Sequence, residues 1–158
     1  MIKILVAYYS RSGNTKKMAE AVAEGAKKEG VEVDLKEIGR FEPEELLDYD
    51  GIIIGSPTYY GTLAWEVKKL LDESVKFHGK LEGKVGGAFS SAANIGGGNE
   101  TTILSILEAM LIHGMVVQGS YSGDHYGPVS IGAPDARSRE QCLSLGRRIA
   151  KLAKRLKK

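Results

Sequence analysis

The sequence predicts an α/β domain whose parallel sheet is covered by helices on both faces. Short apolar runs at residues 2–8 and 52–54 are typical of strands buried on both sides of such a sheet. Between these runs, apolar residues recur at every third or fourth position, as they do along a helix with one buried face. Strand and helix patterns alternate five times along the 158 residues. This alternation predicts a doubly wound sheet of five parallel strands in the order 2-1-3-4-5.

The other elements are predicted by the same patterns. Three further runs predict strands at residues 31–38, 84–90 and 115–121. Helical spacing connects Met18, Val22 and Ala26, then Leu63, Val67, Leu70 and Leu71, then Ile103, Leu107 and Met110. Residues 43–49 should form only a short helical turn, and Gly30 and Gly114 follow helices where C-terminal caps are expected. The expected N-terminal caps are Thr15, Asn99 and Ser138.

Composition indicates a folded protein of a reducing compartment. Hydrophobic residues make up 42% and charged residues 27% of the chain, values typical of a globular domain, and residues 1–158 have the length of one domain. Cys142 is the only cysteine, which excludes an internal disulfide. A strand pattern follows Met1 without a signal-peptide pattern, and no apolar run approaches the roughly 18 residues of a membrane span. We therefore expect a cytoplasmic protein.

Positive charge is concentrated at the end of the chain. Seven of the 22 basic residues lie at positions 147–158, which contain no acidic residue. A basic cluster can bind nucleic acid, but Leu145, Ile149, Leu152 and Leu156 recur here at helical spacing. The pattern predicts a closing helix whose basic residues form a solvated face, so no nucleic-acid partner is expected.

A polar loop follows the first predicted strand and leads directly into a helix. Its residues are Ser10, Arg11, Ser12, Gly13, Asn14 and Thr15. Backbone N–H groups and the partial positive charge of a helix N-terminus favour an anion at such a junction, and the hydroxyl and amide side chains add neutral donors. Neither a Walker loop nor a dinucleotide fingerprint is present. The loop is expected to hold a terminal phosphate monoester, although an ordinary turn before a capped helix would have a similar pattern.

Two more loops should lie at the same edge of the sheet, because the carboxyl ends of parallel strands lie together. They span residues 56–61 and 90–98, and their small residues and glycines let backbone approach a flat ligand. Tyr59 and Tyr60 offer aromatic surface for that ligand, whereas Trp65 fits the core or an interface equally well. The three loops together predict a ligand-sized site that is polar at one end.

Four motifs carry a family resemblance, and they are YYSRSGNT from Tyr8, GSPTYYG from Gly55, FSSAANIGGGNETT from Phe89 and HGMV from His113. In this order they resemble flavodoxins, most closely the WrbA-type NAD(P)H:quinone oxidoreductases. The resemblance covers nearly the whole chain and implies FMN as the cofactor. It also implies that Ser10–Thr15 is the phosphate loop.

The same resemblance implies the other site residues. The implied contacts to the flavin ring are Pro57, Thr58, Tyr59, Tyr60 and Gly61, and Ser91, Ala92, Ala93, Asn94, Ile95, Gly96 and Gly97. It implies that His113 lies beside the flavin and Tyr126 on the substrate side, as catalytic positions, although His113 could also cap a helix. His125 is expected to be a solvated loop residue, the alternative being a proton donor to a reduced quinone. No metal site is expected, because no pair of histidines or carboxylates has ligand spacing.

The chain departs from the family pattern at two places. The third loop is one residue longer before its triple glycine, and the segment between the second and third strands lacks an insertion that supports tetramer contacts in the quinone reductases. The resemblance therefore leaves a homo-oligomer open without fixing its form.

The predicted activity is hydride transfer from NAD(P)H to a quinone or similar acceptor through FMN. Residues 57–61 contain two tyrosines, whereas residues 90–98 contain no aromatic residue. One face of the ring should therefore stay open for a substrate to stack at about 3 to 3.5 Å. The alternatives are a flavodoxin that passes single electrons between proteins and a non-catalytic module that binds FMN.

Overall fold

The computed structural model describes residues 1–157. Its strands are β1 (Lys3–Tyr8), β2 (Glu32–Glu37), β3 (Gly51–Tyr59), β4 (Thr62–Leu63), β5 (Val85–Ala92), β6 (Val116–Val117) and β7 (Val129–Ile131). They form one sheet in the order β2-β1-β3-β5-β6, in which β4 pairs antiparallel with β3 and β7 pairs parallel with β5. The predicted doubly wound order is confirmed, with β5 as its fourth strand.

Helices cover both faces of this sheet. Within residues 1–157 the α-helices are α1 (Asn14–Lys27), α2 (Trp65–Glu73), α3 (Asn99–Ile112) and α4 (Ala136–Leu156). Ile4 and Val6 of β1 belong to the core that includes α1 and α4, whereas Leu5 and Ala7 belong to the core that includes α2 and α3. Because alternate side chains of a strand point to opposite faces, β1 contributes to both cores.

The helices α1 and α4 approach each other through glycine. A Cβ atom added to Gly146 would lie 2.0 Å from the carbonyl oxygen of Val22, and one added to Gly25 would lie 2.1 Å from that of Leu143. No real side chain tolerates such distances, so the two backbones are in direct contact. This close packing fixes the direction of α4 across the sheet.

The fifth predicted strand differs from the observed structure. Residues 115–121 were expected to be one strand, but β6 contains only Val116 and Val117, and the chain returns to β5 as β7. The residues from Gln118 to Gly127 are mostly polar or glycine, which gives them no apolar face to bury in the sheet. The loop between β6 and β7 therefore extends beyond the carboxyl ends of the strands.

The predicted helix ends are partly correct. Gly30 and Gly114 follow α1 and α3 with positive φ angles, as C-terminal caps require. The predicted N-terminal caps are wrong, because the cap positions are Gly13, Gly98 and Asp135, one to three residues earlier than expected. Residues Pro43–Asp48 form the expected short turn, of 3₁₀ type. No helix in the described part of the chain is long and apolar enough to cross a membrane.

Candidate functional site

The structure brings the three predicted loops together at the carboxyl edge of the sheet. The strands β1, β3 and β5 are adjacent and parallel, so the loops that follow them share this edge. A hydroxyl pair, Thr15 Oγ1 and Ser91 Oγ at 2.9 Å, connects the first loop to β5. A second pair, Thr58 Oγ1 and Ser90 Oγ at 2.8 Å, connects β3 to β5. These two hydrogen bonds connect the ends of the strands beneath the three loops.

The first loop ends at the N-terminus of α1, where Asn14 is half-buried. Gly13 is the N-cap of α1 and has a φ of 97°, in the left-handed region that glycine adopts without strain. The backbone N–H groups of Gly13 and Lys16 donate to Ser10 Oγ at 3.1 and 3.2 Å. Among residues 1–157, the N–H groups of Asn14 and Thr15 have no protein acceptor. These free donors at a positive helix end are suited to an anion.

The side chains of the first loop divide into two groups. Arg11 and Ser12 are exposed to solvent, as expected of side chains that meet a ligand. Thr15 is only 2% exposed, and its hydroxyl contacts Ser91 instead of solvent. The expectation that Ser91 and Ala92 lie in the third loop is wrong, because both are buried residues of β5. The structure therefore places Thr15 and Ser91 beneath the first loop.

The second loop is a two-residue hairpin between β3 and β4. Its turn residues, Tyr60 and Gly61, both have positive φ angles, 49° and 81°, as a type I′ turn requires. Tyr60 is the one non-glycine residue with positive φ in the described residues 1–157, and its ring is fully exposed. The left-handed conformation costs a bulky residue roughly 1–2 kcal/mol. Strain of this kind is concentrated at functional sites.

The hairpin packs against the beginning of α3. Thr101 Oγ1 donates a hydrogen bond to the carbonyl oxygen of Gly61. Gly98 has a φ of 111°, and a Cβ atom added to it would lie 2.6 Å from Gly61 Cα. Gly98 therefore allows the second and third loops to touch through their backbones, which narrows the site from one side.

The third loop contains the exposed residues Ala93 to Gly96 and a tight turn in which the Gly97 N–H donates to the Asn94 carbonyl oxygen at 3.2 Å. Asn99 follows it and is buried. Its amide nitrogen is 3.4 Å from the carbonyl oxygen of Ser130, and its Oδ1 is buried without a partner among residues 1–157. A cleft of about 290 Å³ lies here, lined by residues that include Ile95, Asn99 and Ser130. The sequence pattern had predicted Asn99 as a helix cap.

The loop between β6 and β7 carries Tyr126 to the same edge. Asp124 fixes this loop, because its carboxylate accepts from Arg137 Nη1 at 2.9 Å and from the Val129 N–H at 2.9 Å. His125 is exposed, and its Nδ1 donates to the Ser120 carbonyl oxygen at 2.8 Å. The ring of Tyr126 is about half exposed. Asp124 and Arg137 were not singled out from the sequence, since they are distant along the chain.

Within its own chain His113 does not lie at the three loops; it is the C-cap residue of α3, the alternative position that the sequence left open. It follows the end of α3, which begins at the third loop and runs for 14 residues, about 20 Å. The ring is 8% exposed. Ser74 Oγ gives its proton to the Leu71 carbonyl oxygen at 2.6 Å, so His113 Nε2 donates to Ser74 at 2.7 Å. Burial, with His78 nearby, lowers the pKa of His113.

A separate cleft of about 480 Å³ lies beside His113, between α2 and α3. Its lining includes Leu71, Val75, Ile112 and His78, and none of the three predicted loops contributes to it. Within residues 1–157, no cluster of three histidine, cysteine, aspartate or glutamate residues is arranged to hold a metal ion. The chemistry of the candidate site therefore rests on the loops at the carboxyl edge.

Comparison with known proteins identifies the family. The sequence profile of the flavodoxin domain matches residues 5–92, which extend from β1 through β5. The chain belongs to the flavodoxin domain family. A relative from Aquifex aeolicus named flavodoxin is 44% identical over 159 residues, covering 95% of this chain and 86% of the relative. The matched residues include the first loop and the hairpin.

Relatives of this flavodoxin domain carry two kinds of name. A protein from Archaeoglobus fulgidus named NAD(P)H dehydrogenase (quinone) is 36% identical and covers 99% of this chain and 100% of its own. The crystal structure of a WrbA-like flavodoxin protein from Agrobacterium tumefaciens superimposes with a TM-score of 0.84 at 31% identity, covering 98% and 99% of the two chains. The relatives therefore include proteins named flavodoxin and proteins named NAD(P)H dehydrogenase (quinone).

Proposed function

We propose that this flavodoxin-domain protein binds FMN and transfers hydride from NAD(P)H to a quinone or similar acceptor. The observation that carries the proposal is the helix N-terminus at Asn14 and Thr15, whose backbone N–H groups have no protein acceptor within residues 1–157. The same loop contains exposed Ser12, and the hydroxyl of Ser10 accepts a hydrogen bond from the Gly13 N–H. This donor set fits a phosphate monoester, which needs several N–H and O–H groups around one anion.

The remaining surfaces fit the ring of FMN. Tyr59 and Tyr60 are exposed on the hairpin, and residues 93–97 supply backbone and small side chains on the other side. The buried Oδ1 of Asn99 is an acceptor that lacks a donor among residues 1–157, and the ring of a flavin carries an N–H group. The proposed site therefore extends from the phosphate loop, across the hairpin, to the third loop.

Bound FMN would supply the redox chemistry, since it accepts a hydride from one substrate and returns it to another. The residues of this chain would bind and orient it. Thr15 and Ser91, which are hydrogen-bonded beneath the loop, hold the cradle in shape. Asp124 and Arg137 hold the loop of Tyr126 beside the site. No side chain is required as a nucleophile.

The distribution of aromatic residues favours hydride transfer. Both exposed tyrosines of the flavin loops, Tyr59 and Tyr60, are on the hairpin, whereas the third loop offers the aliphatic side chain of Ile95. A ring held against the hairpin would keep its other face accessible. A nicotinamide or a quinone could then stack there in turn, at the distance of about 3 to 3.5 Å that transfer requires.

The second candidate is a one-electron carrier, and the relative from Aquifex aeolicus named flavodoxin favours it. A carrier docks on protein partners and is usually steered by one-sided charge near its cofactor. The edge of this site has mixed charge, with Arg11 and Lys16 beside the first loop and Glu100 and Asp135 beside the third. This mixture supports the small-molecule role.

Steady-state kinetics test the proposal. The FMN-loaded protein should oxidise NADH or NADPH when a soluble benzoquinone is present, with the parallel double-reciprocal lines of a ping-pong mechanism. FMN alone at the same concentration is the control. Binding of FMN without turnover, together with a reductive titration in two separate one-electron steps, would favour the carrier. Binding without turnover and without such steps would favour a non-catalytic module.

The proposal also treats residues 1–158 as one FMN-binding domain in a reducing, cytoplasmic setting. Cys142 is buried, and burial raises the pKa of its thiol to about 12. A thiol of that kind is protonated and unreactive at neutral pH. The cysteine is therefore structural, and the redox chemistry is assigned to the cofactor alone.

A further inference from the structure

A basic cleft lies on α4, apart from the flavin loops. Its volume is about 230 Å³, and it is lined by Gln118, Ser144, Arg147, Arg148, Lys151, Leu152 and Arg155. The α4 residues recur three or four positions apart, so they share one face of the helix. No acidic side chain of the described residues 1–157 lines the cleft. Sequence analysis interpreted these residues as a solvated face.

Arg148 contradicts that interpretation. Its side chain is half-buried, and its Nε is buried without a hydrogen-bond partner in the described part of the chain. Burial lowers the pKa of its guanidinium, and no carboxylate opposes that effect. A half-buried guanidinium whose Nε has no partner is destabilised, because the lost hydration of that nitrogen is not replaced. An anion bound in the cleft would replace the hydration that the Arg148 guanidinium has lost.

The other basic residues of the cleft are only partly neutralised by acidic side chains. Arg147 pairs with Glu140 at 2.7 Å, and Lys151 approaches Glu29 only to 3.6 Å. Arg148 and Arg155 form no ion pair within residues 1–157. Like charges four positions apart on a helix, as in Arg147–Lys151 and Lys151–Arg155, repel each other. The cleft thus has about two positive charges in excess.

We propose that this cleft binds a soluble small molecule that carries a diphosphate group. Guanidinium groups match phosphate oxygens bidentately, which favours phosphate over a simple halide. Two or more negative charges in a compact group match the excess positive charge and the volume of the cleft. Gln118 and Ser144 add neutral donors at the rim.

The cleft is distinct from the proposed FMN site. The amino end of α4 lies beside the third loop, and Arg148 is 12 residues further along the helix, about 18 Å away. The diphosphate ligand should therefore bind to protein that already contains FMN. This site does not depend on the proposed redox function.

Calorimetric titration of the FMN-saturated protein with inorganic pyrophosphate tests the inference. We expect one pyrophosphate per chain. Arg148→Gln should weaken binding roughly ten- to hundredfold, the effect of losing a charge-assisted hydrogen bond, and Lys151→Gln should weaken it less. Arg139→Gln is the matched control, because Arg139 lies on α4, pairs with Glu24 and does not line the cleft. It should leave the affinity unchanged.

Thermal unfolding provides a second measurement that separates binding from folding. Arg148→Met should raise the melting temperature without pyrophosphate, because it removes a half-buried charge whose Nε has no partner. It should also abolish the further rise that pyrophosphate gives the unmodified protein. No binding of pyrophosphate, or equal weakening by Arg139→Gln, would overturn the proposal. Binding only to vesicles of anionic lipid would also overturn it, in favour of a membrane surface.

Discussion

The β1–α1 loop and the segment from His113 to Ile131 differ in how their residues reach the site. The first is continuous, since β1 ends at Tyr8 and α1 begins at Asn14. In the segment from His113 to Ile131, His113 lies near the amino edge of the sheet. The chain then runs along the sheet as β6, and only after that does the loop that contains Tyr126 reach the carboxyl edge. The position of residues in one continuous loop can therefore be predicted from the sequence. The position of residues that are separated along the chain, such as His113 and Tyr126, depends on how the strands and helices are connected.

The largest effect is expected where the two loops touch through glycine. Gly98→Ala should lower the free energy of unfolding by about 2–4 kcal/mol, because it adds left-handed strain and a clash with Gly61. FMN affinity should fall with it. Gly79→Ala is the control, since Gly79 has a φ of 86° and nothing within 4 Å. Chemical denaturation of both variants measures the difference, and equal losses would refute the contact.

The next effect separates the two groups of side chains in the first loop. Ser12→Ala should weaken FMN binding by about 1.5–3 kcal/mol with stability nearly unchanged, because Ser12 is exposed. Thr15→Ala should weaken FMN binding less than Ser12→Ala does, and it should destabilise the protein by about 1–2 kcal/mol, since it leaves the buried Ser91 hydroxyl without its partner.

Riboflavin and Thr15→Ser serve as the controls for that comparison. Riboflavin lacks the phosphate, so its binding should be insensitive to Ser12→Ala. Thr15→Ser keeps a hydroxyl and should restore most of the stability. If FMN and riboflavin lose the same affinity in Ser12→Ala, the loop does not hold the phosphate.

These comparisons show what the sequence could predict. The sheet order followed from buried strands and helical spacing, and the three loops followed from their positions after parallel strands. The burial of Thr15 and of Asn99 could not be predicted, because both depend on contacts with β5 and β7. The positive φ of Tyr60 could not be predicted either, because it is imposed by the tight hairpin that β3 forms with the short strand β4.

The position of His113 predicts a pH effect on stability without an effect on turnover. Burial holds the pKa of His113 below its ordinary value of 6.5, so the unfolded chain binds a proton more readily than the folded one. The stability that the protein gains from keeping His113 neutral should be complete above about pH 6.5. It should decrease as the pH falls from there towards the folded pKa of His113.

His113→Gln should reduce this pH dependence, because the glutamine amide can donate to Ser74 but does not titrate near neutral pH. Urea denaturation between pH 5 and 8 measures it. Turnover of NAD(P)H and quinone should be unchanged. A loss of turnover with normal folding would indicate that His113 reaches the site of another subunit.

The smallest effect concerns the strained turn. Tyr60→Asn should stabilise the protein by roughly 0.5–1 kcal/mol, because asparagine tolerates the left-handed conformation better than tyrosine does. The KM for benzoquinone should rise if the Tyr60 ring contributes to the stacking surface. Tyr121→Asn, at another fully exposed tyrosine, is the control and should change neither quantity. A destabilised Tyr60→Asn variant would mean that the tyrosine ring compensates for its backbone strain.

The FMN site is tested most directly by titrating the protein with FMN and with riboflavin and following the visible absorption and fluorescence of the flavin. FMN should bind one molecule per chain, and riboflavin should bind at least about 100-fold more weakly, because the donors at Asn14 and Thr15 would face no phosphate. A protein that takes up no FMN, or that binds the two flavins equally, would contradict a phosphate site at the start of α1.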